Sequence, residues 1–152
     1  MIKHLLALCA AATLSHGALA QVTASDAWVR ATVPAQKTAG VFLTLQSVKA
    51  ARVVGASTPA AGTVEMHQME MSGQTMKMHA VDAITLPAGE KVNLAQAGYH
   101  LMFLDLKQQL KDGDTVPVTL IVEDAARKRD SVIVNVPVKP IGYTAPGGAH
   151  QH

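Results

Sequence analysis

Beyond residue 20 the sequence nowhere keeps a helical period for longer than a turn or two. It consists of short period-two segments separated by turn residues. Between residues 40 and 48, Val41, Leu43 and Leu45 alternate with Phe42, Thr44 and Gln46, the pattern of a strand with one buried face. Similar segments cover 27–30 (ended by Pro34), 52–56, 63–71, 75–80, 84–86, 92–94, 99–106, 115–122 and 131–138. Ser57-Thr58-Pro59, Ser72-Gly73-Gln74, Pro87-Ala88-Gly89-Glu90 and Lys111-Asp112-Gly113-Asp114 mark turns between them. About nine strands without intervening helices predict an all-β domain, either an antiparallel sandwich or a Greek-key barrel. With only five aromatic residues in the chain, its core must be built from Val, Leu, Ile and Ala.

The first twenty residues stand apart. Met1-Ile2-Lys3-His4 is a positive start, 5–14 is an apolar run, and Ala18-Leu19-Ala20 is a small-x-small cleavage site. That is the pattern of a secretory signal peptide, so the expected address is the periplasm, with cleavage after Ala20. The run is too short to remain as a membrane anchor, and no other segment suggests membrane insertion. Cys9 is the single cysteine, and the bulky Leu8 before it argues against a lipid-modified cysteine. Cleavage removes it, which excludes zinc-finger, thioredoxin-like and cysteine-nucleophile chemistry, and a blue-copper site as well. Loss of Lys3 leaves 12 basic against 11 acidic side chains with no basic run, so nucleic acid is not an expected partner. Residues 21–139 then form one domain, expected to be a monomer, and 140–152 form a flexible tail ending in His150 and His152.

Chemistry is concentrated in residues 66–102, which hold six of the seven methionines. Thioethers are soft ligands and imidazoles borderline ones, so a Met/His cluster without thiols points to copper, above all Cu(I). The segments 63–71 and 75–80 read as a β-hairpin with Glu65, His67, Met69 and Met71 on one face of its first strand and Met76 and Met78 on one face of its second. In the segment 99–106, His100 and Met102 share a face and lie about 7 Å apart along the strand. His67, Met78, His100 and Met102 would make a neutral, four-coordinate set suited to Cu(I) and ill suited to zinc or calcium. Met66 shares the face of Val64 and reads as core, and His79 points away from Met78. Met69, Met71 and Met76 fit either auxiliary ligands or an apolar rim, since methionine in a strand is more often packing than ligand. The carboxylates read as turn chemistry at Asp112 and Asp114. Around Glu123, Asp124, Arg127, Lys128 and Arg129 they read as a solvated link. No nucleophile elbow or phosphate-binding glycine loop is present, so an enzyme is not expected.

The spacing of His67, ten residues, Met78, twenty-one residues, then His100-Leu101-Met102 resembles the signature of the PCuAC-type periplasmic copper chaperones, H-x10-M-x21-H-x-M. Trp28-Val29-Arg30, Gly55-Ala56-Ser57, Val64-Glu65-Met66-His67, Leu106-Lys107 and residues 112–117 resemble that family too. The resemblance implies a cupredoxin-like β-sandwich binding one Cu(I) through His67, Met78, His100 and Met102. It further implies delivery toward the CuA centre of cytochrome c oxidase subunit II, with a Sco-type thiol protein as a further acceptor. Some relatives carry a longer His/Met-rich extension that binds Cu(II); here it is reduced to His150 and His152. Three other readings compete: a periplasmic copper reservoir serving tolerance, a mononuclear copper oxygenase-type enzyme, and an adhesion module with incidental methionines. The oxygenase reading is the weaker, because a mature chain starting at Gln21 offers no N-terminal histidine to brace a copper ion.

Overall fold

The structure is a computed structural model and describes residues 21–146. The expected leader and the two terminal histidines, His150 and His152, lie outside the described residues. The strands are β1 (Val22–Arg30), β2 (Thr38–Ser47), β3 (Ala51–Ser57), β4 (Ala61–Ser72), β5 (Thr75–Ala80), β6 (Ile84–Leu86), β7 (Lys91–Asn93), β8 (Tyr99–Leu106), β9 (Thr115–Asp124) and β10 (Arg129–Lys139). Among the described residues no helix is long and apolar enough to cross a membrane.

Hydrogen bonding links the strands in the order β5-β4-β8-β2-β1-β10-β9-β3-β6, with β7 also paired to β2. One half of this path, β5 to β1, and the other, β10 to β6, meet where Val29 and Arg30 pair with Val138 and Lys139. That contact is parallel, and every other strand pair is antiparallel. The expected all-β, cupredoxin-like sandwich is the fold observed. The parallel seam is a departure that no pattern within either strand announces, because it joins the two ends of the domain.

The core follows the alternation. Val41, Leu43 and Leu45 of β2 and Leu101 and Phe103 of β8 face Val53, Ile84, Leu86, Val118, Leu120 and Val136 of the other half, all buried. Each such side chain contributes about 1.5–3 kcal/mol on leaving water. Period two then puts Phe42 of β2, and His100 and Met102 of β8, on the opposite, outer face of the first half.

Two boundaries differ from the sequence expectation for physical reasons. β1 starts at Val22, five residues early, because a bulge between Ser25 and Trp28, with Asp26 at φ 52°, interrupts its alternation. The link expected at 123–130 shrinks to a tight turn, since β9 and β10 pair as far as Glu123 and Arg129. Glu123 is consequently not solvated but buried. It accepts hydrogen bonds from Arg52 Nε at 3.1 Å and Arg129 Nε at 2.9 Å, and these cations hold its carboxyl below the ordinary carboxylate range. Asp124 Oδ1 shapes the turn by accepting from the backbone amides of Ala126 and Lys128.

The stretch after β10, expected as flexible tail, folds back over β1 as far as it is described. Tyr143 meets Trp28 edge-on at 5.0 Å and its carbonyl accepts a hydrogen bond from Arg30 Nε.

Candidate metal centre

Four adjacent strands, β5, β4, β8 and β2, supply the outer face on which the Met/His residues lie. Along β4, Glu65, His67, Met69 and Met71 point outward, while Met66 is buried in the core. Antiparallel pairing sets Glu65 opposite Met102, His67 opposite His100, Met69 opposite Met78 and Met71 opposite Met76. Gly40 of β2 lies opposite Met102 on the far side. Directly opposed residues share a face, so all four predicted ligands occupy one surface.

The register inside the hairpin sets how His67 and Met78 approach each other. His67 faces Ala80 on β5, and Met78 faces Met69, so His67 and Met78 are diagonal neighbours. Loop length is the reason. Ser72 pairs with Thr75, leaving a two-residue turn, Gly73-Gln74, in place of the expected three-residue one. Gly73 has φ 65°, the left-handed conformation that glycine adopts without penalty. Diagonal pairs have Cβ atoms about 7–8 Å apart, within reach of a long thioether and an imidazole closing on one ion.

Exposure falls steeply across the face. Met78 is 54% exposed, the His67 side chain 16% and His100 only 2%. His100 is covered by aromatic rings: His67 at 5.4 Å and Phe42 at 5.8 Å between centroids, with Trp28 stacked on Phe42 at 4.9 Å. Beside it opens a cavity of about 320 Å³ whose walls include Arg30, Phe42, Met69, Met78, His100 and Met102. His67 does not line that cavity and flanks His100 from the side.

The ring nitrogens carry the chemical information. His100 Nδ1 and Nε2 and His67 Nδ1 are buried without a hydrogen-bond partner. A buried polar atom left unpaired costs about 1–3 kcal/mol, and the fold keeps three of them within one site. His67 Nε2 lies 2.7 Å from Glu65 Oε2 and donates to it, which leaves the Nδ1 lone pair free. Burial first, and the neighbouring His67 second, hold the His100 pKa below its ordinary 6.5, so this imidazole stays neutral near neutral pH. Two imidazoles with orphaned ring nitrogens beside thioethers fit a soft, weakly charged metal ion. Among the described residues no three or more His, Cys, Asp or Glu side chains gather as an ion site, so the donor set does not suit a hard cation.

Alternation put the four candidate ligands on one face, as they are in the structure, but their surroundings were passed over. Glu65 was on the right face, and its spacing of two from His67 was the available signal. Phe42 and Trp28 gave no such signal, because the lid they form arises from strand order.

With this geometry in place, comparison with known proteins is decisive. The family profile described as "Putative lipoprotein LpqE-like" matches residues 22–138. The chain belongs to the LpqE-like family. A protein of Leifsonia xyli subsp. xyli (strain CTCB07) described as a putative lipoprotein is 32% identical over 119 residues, covering 78% of this chain and 69% of that one. The solution structure of apo-DR1885 from Deinococcus radiodurans is 33% identical, with a TM-score of 0.58 over 92% of this chain and 94% of that one. Its Cu(I) form is 30% identical, with a TM-score of 0.56 over 85% of each chain. The copper-bound PCuAC domain from PmoF2 is 20% identical, with a TM-score of 0.62 over 81% of this chain and 96% of that one, and it shares the fold. The fold that the PCuAC resemblance implied is therefore the fold this LpqE-like chain has.

Proposed function

We propose that this LpqE-like protein is a copper chaperone, a carrier with no catalytic step, that binds one Cu(I) through His67, Met78, His100 and Met102. The observation that carries the reading is the set of unpartnered, buried imidazole nitrogens on the face that also presents Met78 and Met102. A metal ion accepting lone pairs from His67 Nδ1 and one His100 nitrogen relieves groups that are otherwise costly to bury. The Cu(I) form of DR1885, 30% identical to this chain, supports the same choice of metal.

The gradient of exposure suits handing over cargo. Met78, half exposed, is the ligand an incoming donor reaches first, whereas His100 is held at the base of the site. Neutral thioethers and imidazoles leave without a change of charge, so transfer proceeds by stepwise ligand exchange. In finer detail, the protein is exported to the periplasm, cleaved after Ala20, and passes Cu(I) to the CuA site of cytochrome c oxidase subunit II or to a Sco-type thiol protein. The lipoprotein description of the family supports export. A Cu(II) site formed by His150 and His152 is a separate expectation that lies outside the described residues.

Anaerobic titration with Cu(I) against a chromogenic chelator tests the site. Met78→Leu and Met102→Leu keep volume and fold but remove a donor, and each should weaken affinity about tenfold or more, equivalent to about 1.4 kcal/mol. Unchanged affinity in both variants would overturn the assignment. Transfer of the bound ion to an apo subunit II fragment tests the acceptor.

A further inference from the structure

The thioether-bearing face continues past the four ligands. Beyond the Met69–Met78 pair, one step toward the hairpin tip, Met71 and Met76 oppose each other across β4 and β5. They are 60% and 58% exposed. Neither belongs to the core, so the ordinary reason for methionine in a strand, filling an apolar gap, does not account for this pair. β5 is the end of the sheet path, and all six of its residues are exposed, which leaves the tip open to solvent. Glu70 and Lys77 oppose each other on the other face of the hairpin, so no charged side chain of these two strands stands between the two methionine pairs.

Directly opposed residues have Cβ atoms about 4.5–5.5 Å apart, and methionine has three rotatable bonds, so the two sulfurs can meet at one point. Paired thioethers without nitrogen or carboxylate donors select Cu(I) over the other biological metals. We propose that Met71 and Met76 form a second, weaker Cu(I) site at the tip of the β4–β5 hairpin, through which copper reaches and leaves the main site. The proposal rests on the reading that the main site holds Cu(I). The tip site is the weaker because it lacks imidazole donors and must order two exposed, freely rotating side chains. From Met71 to His67 is roughly 13 Å along β4, and the Met69–Met78 pair lies midway, about 7 Å from either row, as shared donors. Copper stays Cu(I) throughout, and only sulfur and nitrogen donors exchange.

The test uses the full-length protein with methionine ε-methyl groups labelled with carbon-13, titrated anaerobically with Cu(I) alone. The first equivalent should shift the Met78 and Met102 methyl signals, and the second should shift those of Met71 and Met76. In the double variant Met71→Leu/Met76→Leu the second event should vanish while the first keeps its affinity. Removal of the first ion by a chelator should be slower in that variant by about tenfold. Three results would overturn the second site: no shift of Met71 and Met76 at several equivalents, a shift already complete with the first, or a second event that persists in the double variant. An unchanged removal rate would overturn its role as a passage. If Met78 and Met102 also fail to respond, the main-site reading falls as well, so the two failures are separable.

Discussion

The 2.7 Å contact between Glu65 Oε2 and His67 Nε2 occupies one ring nitrogen and leaves Nδ1 as the one available to the proposed metal ion. A carboxylate that accepts from one ring nitrogen holds the ring in place and makes the other nitrogen a better donor. Glu65→Gln retains a hydrogen-bonding group but gives up the charge, and Glu65→Ala gives up both. Cu(I) affinity should fall in the order wild type, Gln, Ala, by about 10–100-fold overall, as seen for other outer-shell partners of metal-bound histidine. Chelator competition measures the order, and nitrogen-15 spectra of the imidazoles should show the apo His67 proton moving off Nε2 in the alanine variant. If the alanine variant binds as tightly as wild type, Glu65 is only a surface neighbour.

At the scale of elements, the β4–β5 hairpin is the part whose geometry was hardest to read. Its face was legible, because alternation alone separates His67 and Met69 from Met66. Its register was not, because a three-residue stretch of turn-forming side chains does not reveal that Ser72 and Thr75 close the ladder. Gly73 decides that register. Gly73→Ala should cost about 1 kcal/mol of stability through its left-handed φ, with no clash, since no atom lies within 4 Å of the added Cβ. Denaturant unfolding reads that loss, and a loss of Cu(I) affinity beside it would show that the diagonal approach of His67 and Met78 depends on the turn. Met66→Ala, on the buried face of the same strand, should cost about 2–5 kcal/mol by opening a cavity.

For the whole molecule, burial of an imidazole couples stability to pH. The His100 pKa is lowered from 6.5 in the fold, so as pH falls through that value the unfolded chain gains a proton that the folded chain refuses. The contribution is fully present above about pH 6.5 and is lost on acidification toward the lowered value. Apo protein should therefore lose stability between pH 7.5 and 5.5, and His100→Gln should flatten that slope in denaturant melts. Glu123, depressed by Arg52 and Arg129, acts in a separate window. Its share persists above the ordinary carboxylate range and is lost only as pH drops below it. If, as proposed, Cu(I) binds the folded state alone, then at a hundred times its dissociation constant it should add about 2.7 kcal/mol. A thermal melt with and without one equivalent measures that gain, and its absence would contradict specific binding.

The all-β class, the candidate donors and the faces they occupy were legible in the residues alone, because period two is a property of the strand and donor chemistry a property of the side chain. Alternation also placed Met66 in the core and His79 away from the site, and both are so placed in the structure. Which strands lie side by side emerges only in the folded domain, and three features follow from that order. Setting β8 between β4 and β2 buries His100 beneath Phe42 and Trp28. Pairing β4 with β8 places Glu65 and His67 opposite Met102 and His100. Setting β9 between β3 and β10 brings Arg52 onto Glu123 and buries that carboxylate between Arg52 and Arg129. Each joins residues far apart in the chain, and long-range pairing of this kind is set by the packing of the whole sandwich, which no local pattern encodes.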